Sequence, residues 1–211
     1  MKDEILDILH ASRKSEPIYT LVSRYEKIVE TREKDIFLSI LKEIALNGSV
    51  SERFDCLAVI QMIKKVFECE DIIKINIERI NLKEEEQLIS LYLSLSANLS
   101  RDWSIGFIKN IISIYKPVDK ERNSIFCLAL SCMSRTQFWK DSLEEILFAL
   151  ENFDEVFVVD FIAYFRLRQG KVGEEELLKL IPDESLIRKI NDFKTKIDDR
   201  YMLNYAGMVG K

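Results

Sequence analysis

"LKEI", at residues 41–44, returns four more times along the chain in near copies. These copies are "IERI" at 77–80, "IKNI" at 108–111, "LEEI" at 143–146 and "LKLI" at 178–181. Their successive starts lie 36, 31, 35 and 35 residues apart. In each tetrapeptide the first and last residues share one helix face, while the two middle residues look away from it. The recurring tetrapeptide therefore predicts one buried stripe that repeats in every second helix.

Helix boundary signals surround these copies and divide the chain into pairs of helices. Asn47-Gly48 predicts a helix end, and Ser51 is expected to cap the helix that follows. Pro117 and Gly170 predict the ends of two further helices. The first helices of the pairs are expected to start near residues 17, 52, 84, 119 and 154. The second helices carry the tetrapeptide, and Asp35, Asp71 and Asp102 each lie six residues ahead of a copy.

A repeat of 30 to 47 residues built from paired helices is typical of α-solenoids. By helix length and period, residues 17–182 resemble HEAT and armadillo-type repeats. The resemblance implies an all-α fold in which about five antiparallel helical hairpins form a right-handed stack. An ordinary helical bundle also contains hairpins of this length and stays as an alternative. The tetratricopeptide family has a similar period, but its Leu-Gly and Tyr pattern is missing from the first helices.

The predicted organisation is a single helical repeat domain over residues 1–211. Residues 1–16 are expected to form an N-terminal cap and residues 17–182 the hairpins. Between 183 and 205, Ile187, Ile190, Phe193, Ile197 and Tyr201 form an apolar stripe among charged residues. This pattern predicts one long amphipathic capping helix. Residues 206–211 are expected to be a frayed tail.

Composition excludes several classes of protein. Of 211 residues, 47% are apolar and 32% charged, which suits a folded chain. With 6 Gly and 3 Pro, turn residues are too scarce for a β-sandwich of this size. The net charge of −5 and a pI near 5.2 argue against a nucleic-acid partner, because phosphate binding needs a basic face.

Two further features predict a cytoplasmic protein. No apolar run reaches 18 residues, so no membrane span is predicted, and the start "MKDEILDILH" lacks the basic run of a secretory signal. The four cysteines form no CxxC pair and are interpreted as reduced core thiols. They are Cys56, Cys69, Cys127 and Cys132.

The sequence offers little support for catalysis. His10 is the single histidine, and it is far in sequence from every cysteine. No nucleophile elbow, Walker loop, dinucleotide-binding glycine motif or His-Glu-x-x-His motif occurs. We therefore expect a non-enzyme that uses no cofactor and no metal.

One charged stretch stands out as a candidate binding surface. Residues 141–160 contain seven acidic residues and no Lys or Arg. The doubled acid Glu144-Glu145 occupies the two outward positions of the fourth tetrapeptide. Aromatic residues open this helix and the corresponding helix before it. The predicted partner-binding residues are Asp141, Glu144, Glu145, Glu151, Trp103 and Trp139. The alternative is that the two tryptophans belong to the core and the acids to an ordinary solvated face.

These observations favour a protein that binds another protein. In size, acidity, reduced cysteines and lack of catalytic motifs, the chain is similar to helical immunity proteins of bacterial contact-dependent competition systems. That resemblance implies a basic, nuclease-type toxin domain as the partner, with no membrane and no nucleic acid involved. A scaffold or adaptor that holds a peptide in a concave groove is the alternative. A helical-repeat nucleic-acid enzyme ranks last, because the outward positions are mixed to acidic.

The absence of catalytic motifs leads to a first prediction. Purified protein should contain no stoichiometric metal by elemental analysis, and His10→Ala should leave partner binding unchanged, because no motif gives the imidazole a role. Metal at one equivalent per chain, or loss of binding by a folded His10→Ala variant, would contradict it.

Overall fold

The computed structural model describes residues 34–62, 67–82, 84–118 and 121–209. In these residues the regular structure is helical, with ten α-helices, two short 3-10 segments and no strand. The predicted all-α class is confirmed. The predicted N-terminal cap, the helix expected at 17–30 and His10 lie outside the described residues.

The chain divides into two compact units, Met1–Leu99 and Ser100–Lys211. The boundary falls inside the predicted hairpin that pairs the helix at 86–99 with the helix at 102–115. Continuity of the repeat across this point stays a prediction.

The first unit contains four described α-helices. They are α1 (Lys34–Asn47), α2 (Val50–Met62), α3 (Glu70–Arg79) and α4 (Glu86–Leu99), with a 3-10 turn at Phe67–Cys69 before α3. α1 packs against α2 and α3, while α4 packs against α2 and α3. Each helix thus contacts both its neighbour in sequence and the helix one repeat away.

The α1–α2 turn depends on two short-range constraints. α1 ends at Asn47, as predicted, and a Cβ at Gly48 would lie 2.6 Å from the Ile44 carbonyl oxygen. The prediction of Ser51 as the cap of α2 is wrong, because Ser51 lies inside the helix. Ser49 caps it instead: the Ser49 amide donates to the Glu52 carboxylate at 2.8 Å, and the Glu52 amide donates to the Ser49 hydroxyl at 3.3 Å. This is the Ser-x-x-Glu capping box.

The second unit contains six described α-helices. They are α5 (Asp102–Tyr115), α6 (Ser124–Met133), α7 (Leu143–Asn152), α8 (Glu155–Lys179), α9 (Glu184–Asp192) and α10 (Lys194–Val209), with a 3-10 turn at Trp139–Ser142 before α7. α6 packs against α5, α7 and α8, and α8 packs against α9 and α10. Side-chain caps start three of these helices: Asn123 for α6, Asp154 for α8 and Asp183 for α9.

The recurring tetrapeptide lies on the buried side of its helices, with exceptions at helix ends. Of the eight apolar residues in its first four copies, five are buried: Leu41, Ile44, Ile108, Ile111 and Ile146. The other three, Ile77, Ile80 and Leu143, are half-buried. Ile77 and Ile80 lie in the last turn of α3 and just beyond it, and Leu143 is the first residue of α7. A side chain at a helix end has fewer neighbours, so the stripe is less covered there.

Polar contacts between helices repeat the sequence period. In the first unit the guanidinium of Arg53 donates to buried Glu85 at 2.5 Å over 32 residues, and Arg79 donates to the Ala45 carbonyl over 34. In the second unit Gln169 donates to the Ser134 carbonyl at 2.7 Å over 35 residues. Further pairs are Gln61–Ser94 at 33 residues, Lys109–Asp141 at 32, Lys140–Glu176 at 36 and Arg166–Asp198 at 32. Within each unit, positions one period apart are therefore close in space.

α8 is bent at Gly170, which has φ 72° and ψ 179°. These angles belong to a region that essentially only glycine occupies. Across the bend, Arg166 donates two hydrogen bonds to the buried carboxylate of Glu174, and a third, at 2.6 Å, to Asp198 on α10. The bend thus arises from the backbone conformation of Gly170, and the hydrogen bonds between Arg166 and Glu174 hold its two sides together.

The predicted capping helix at 183–205 is not one helix. It is divided at Phe193 into α9 and α10, and α10 continues to Val209, so the predicted frayed tail is helical through that residue. Ile190 and Ile197 from the predicted apolar stripe are buried. Both helices thus keep part of the stripe buried on either side of the break.

The bend gives a second prediction. Gly170→Ala should lower the free energy of unfolding of the second unit by about 1–3 kcal/mol, because alanine is forced into a glycine-only region. Gly106→Ala is the matched control, since Gly106 is exposed inside α5 with open space around its Cβ position. That change should stabilise the unit by about 0.5–1 kcal/mol. Trp103 and Trp139 both lie in this unit, so urea denaturation followed by tryptophan fluorescence measures it directly. Equal effects of the two substitutions would show that the bend is not strained.

Candidate interaction surface

The predicted acidic residues lie at the start and end of α7 and in the 3-10 turn before it. Glu144 and Glu145 occupy the first turn of α7, where the helix dipole favours negative charge. The side chain of Glu144 is 88% exposed and that of Glu145 is 26% exposed. Asp141 and Glu151 are also exposed. The helix buries Ile146 and Leu150 on its other side, so Asp141, Glu144 and Glu151 face solvent as predicted, whereas Glu145 is half-buried.

Cations from α5 and the residue after it compensate the acids around the start of α7. The ammonium of Lys109 donates to Asp141 at 3.1 Å. The ammonium of Lys116 lies 3.9 Å from a carboxylate oxygen of Glu144 and 3.9 Å from one of Glu145. The acidic stretch suggested a cluster of uncompensated negative charge. In the structure, Lys109 and Lys116 compensate these acids.

The remaining acids of the 141–160 stretch are also largely paired. Arg122 lies 3.7 Å from Asp154, Arg200 lies 2.7 Å from Asp160, and Lys196 pairs with Glu155. Six of the seven acids thus have a cation within 4.0 Å, while Glu151 has no ion pair among the described residues. Residues 100–211 contain 17 Lys and Arg against 18 Asp and Glu, so this half of the chain is almost neutral.

The two predicted tryptophans differ in burial. Trp139 is only 3% exposed, and its ring packs edge-on against Phe165 with centroids 5.0 Å apart. This indole belongs to the core and is not available to a partner, which favours the core interpretation for Trp139. Trp103, the second residue of α5, is half-buried. Its role in binding stays a prediction.

Aromatic residues that the sequence analysis did not single out form a row beside the acids. Phe148, Phe153 and Phe157 meet edge to face, with centroids 6.2 Å and 5.1 Å apart. The ammonium of Lys116 lies 5.3 Å from the centroid of Phe148, and the guanidinium of Arg122 lies 5.8 Å from that of Phe157. Both cations thus contact a carboxylate and a ring face together. The repeat period was the sequence signal for this contact, since Lys116 and Phe148 are 32 residues apart, but the sequence analysis did not use it.

Arg166, Glu174 and Asp198 form the other charged cluster of the second unit. Hydrogen bonding to Glu174, and then to Asp198, raises the pKa of Arg166 above its usual value, so the guanidinium stays charged. The Cζ atom of Arg166 also lies 5.4 Å from the centroid of the Tyr201 ring. A cavity of about 210 Å³ borders this cluster between α8, α9 and α10. Since the guanidinium is shared between two carboxylates and a ring, the cluster serves to join helices.

The described residues show little reactive chemistry. They contain no group of three or more His, Cys, Asp or Glu side chains that would hold a metal ion. All four cysteines are free and buried, as predicted, and burial raises the pKa of the Cys56 thiol, which disfavours its nucleophilic thiolate. No helix in the described part is long and apolar enough to cross a membrane.

Comparisons with protein-family models, with curated proteins and with solved structures give no match. Function must therefore be argued from the geometry of this chain.

The burial of the tryptophans gives a third prediction. Trp139→Ala should lower the free energy of unfolding by about 3–5 kcal/mol, because it leaves a large cavity beside Phe165. Trp103→Ala should cost clearly less, since that side chain is only half-buried. Urea denaturation followed by far-UV circular dichroism compares the two. If Trp139→Ala were as mild as Trp103→Ala, the core position of Trp139 would be refuted.

Proposed function

We propose that the chain is a non-catalytic helical-repeat protein that binds and neutralises a basic, nuclease-type toxin domain in the cytoplasm. The observation that carries this proposal is that each unit contains several polar contacts that join positions 32 to 36 residues apart. A structure in which each repeat contacts the next one presents an extended surface. Such surfaces most often bind proteins or peptides.

The packing inside the first unit supports the repeat architecture. α1 packs against α3 and α2 against α4, so corresponding helices of consecutive hairpins are neighbours. The same relation joins α6 to α8 in the second unit. The right-handed stack of about five hairpins extends this pattern to the whole chain and forms part of the proposal.

The acids around α7 are the proposed docking residues for the toxin. Glu144 is almost fully exposed, and Glu151 is an exposed acid without a cation partner in the described part of the chain. Exposed ion pairs contribute only about 0–1 kcal/mol each, so a partner's basic side chains compete with Lys109 and Lys116 at little cost. Because residues 100–211 are nearly neutral, the steering that the second unit contributes comes from these local carboxylates.

A scaffold or adaptor is the alternative, and the surface of α10 favours it. Met202 is 60% exposed and Leu203 is 68% exposed, and Tyr205 and Met208 are also exposed. The last helix of a repeat stack is expected to have a polar outer face. This helix instead has apolar side chains near its end that suit an apolar protein partner.

The inhibitor proposal is tested with a basic, nuclease-type toxin domain, sought first among the products of the genes next to the gene for this chain. The purified chain should form a stoichiometric complex with that domain and abolish its nuclease activity. Complex formation should slow as salt rises, because charge steering is screened over about 8 Å at 0.15 M ionic strength. A nuclease that stays fully active with excess chain would refute the inhibitor version, and salt-independent binding would favour the scaffold.

The position of the docking residues gives a fourth prediction. Reversing Glu144 and Glu145 to Lys should slow association with the toxin domain at least several-fold at low salt, while the protein stays folded. The matched control reverses Glu175 and Glu184, two exposed acids of the same unit, and changes the net charge equally. Stopped-flow kinetics across a salt series measures both variants. Equal slowing by the two double variants would show that net charge acts and that α7 is not the docking site.

A further inference from the structure

Lys116 occupies a site made of two carboxylates and an aromatic ring. Its ammonium lies 3.9 Å from Glu144, 3.9 Å from Glu145 and 5.3 Å from the centroid of Phe148. We call Glu144, Glu145 and Phe148 the cation site. The two acids come from the first turn of α7 and the ring from one turn further on, so one helix presents all three.

The fit between Lys116 and the cation site is loose. Both ammonium–carboxylate distances exceed the 2.7–2.9 Å of a charge-assisted hydrogen bond, so neither carboxylate is directly bonded to Lys116. The lysine is 34% exposed, and exposed pairs of this kind contribute little. An arginine has a planar head with five donors that pairs with carboxylates in a bidentate way and stacks on aromatic faces. It matches two carboxylates beside a ring better than an ammonium does.

The contact of Arg122 with Phe157 differs from the Lys116 contact in a way that matters for access. Arg122 lies over Phe157, but Phe157 is only 3% exposed, so no side chain from outside can replace Arg122 on that ring. Phe148 is half-buried, and Glu144 beside it is 88% exposed. Lys116 also lines a groove of about 330 Å³, together with Ile114, Tyr115, Pro117, Glu121, Arg122 and Asn123. The Lys116 position thus combines two nearby carboxylates, a half-buried ring and a groove that Lys116 itself lines.

We infer that the cation site receives an arginine side chain of the protein partner and that Lys116 is an internal substitute that the arginine displaces. The inference rests on the proposed function in one respect, that the partner is a basic protein. It also predicts the direction of a change in affinity that an ordinary surface ion pair would not produce. Removing Lys116 should strengthen the binding of arginine, because the competing internal cation is gone.

The test uses a fluorescently labelled tetra-arginine peptide and three proteins: wild type, Lys116→Met and Lys109→Met. Lys109→Met is the matched control, because it removes one cation that pairs with Asp141 on the same surface and changes the net charge equally. Fluorescence anisotropy at 0.15 M salt should show about fivefold tighter binding to Lys116→Met, while Lys109→Met stays within about twofold of wild type. Adding Glu144→Gln and Glu145→Gln to Lys116→Met should abolish the gain.

Each outcome decides the inference. If Lys116→Met binds the peptide no more tightly than Lys109→Met, with both proteins folded by circular dichroism, the inference is overturned. The nuclease assay separates it from the proposed function. If the gain for the peptide is seen but no toxin domain is inhibited, the cation site stands and the toxin proposal fails. If the toxin is inhibited but the two lysine variants behave alike, the function stands and the cation site fails.

Discussion

The structure depends on one constraint: the apolar stripes of its helices must be buried, and in both units helices about one repeat apart pack together to bury them. In the first unit α1 needs α3 and α2 needs α4, because a single helical hairpin has no second layer for its apolar side chains. Polar contacts follow the same rule. Buried Arg53 would lose its charge partner without Glu85, and an unpaired buried charge costs several kcal/mol. The regular spacing of the recurring tetrapeptide reflects this packing between repeats.

Much of the helical structure could be predicted, because its causes are local in sequence. The end of α1 at Asn47, the end of α5 before Pro117 and the burial of Ile108 and Ile111 follow from the spacing of apolar residues and from turn residues. The misses have equally local causes. Ser49 and Ser51 are both good capping residues, and the Glu three positions after Ser49 decides between them. The break at Phe193 has no Pro or Gly to signal it, so an unbroken apolar stripe concealed it.

The charge of the candidate surface could not be predicted from the acidic stretch, because charge balance belongs to the folded surface and not to a sequence window. Residues 141–160 have no cation, yet Lys109, Lys116 and Arg122 reach them from the preceding repeat, and Lys196 and Arg200 reach them from α10. Lys109, Lys116 and Arg122 precede the acids they pair with by 28 to 32 residues, whereas Lys196 and Arg200 follow theirs by 41 and 40 residues. The same arrangement places Lys116 near Phe148. The burial of Trp139 could not be predicted either, because it depends on side-chain packing. Helical spacing alone fits a core position and a docking position equally well.

The lengths of the contacts affect how the chain reaches its folded state. Among the described residues, the polar contacts between helices span at most 41 residues, the separation of Glu155 and Lys196. Low sequence separation of contacts is associated with fast folding, because little loop-closure entropy opposes each step. During synthesis, which proceeds from the N-terminus, each helix needs only about one further repeat to leave the ribosome before its partner is present. Each of these contacts can therefore form once about one further repeat has been made.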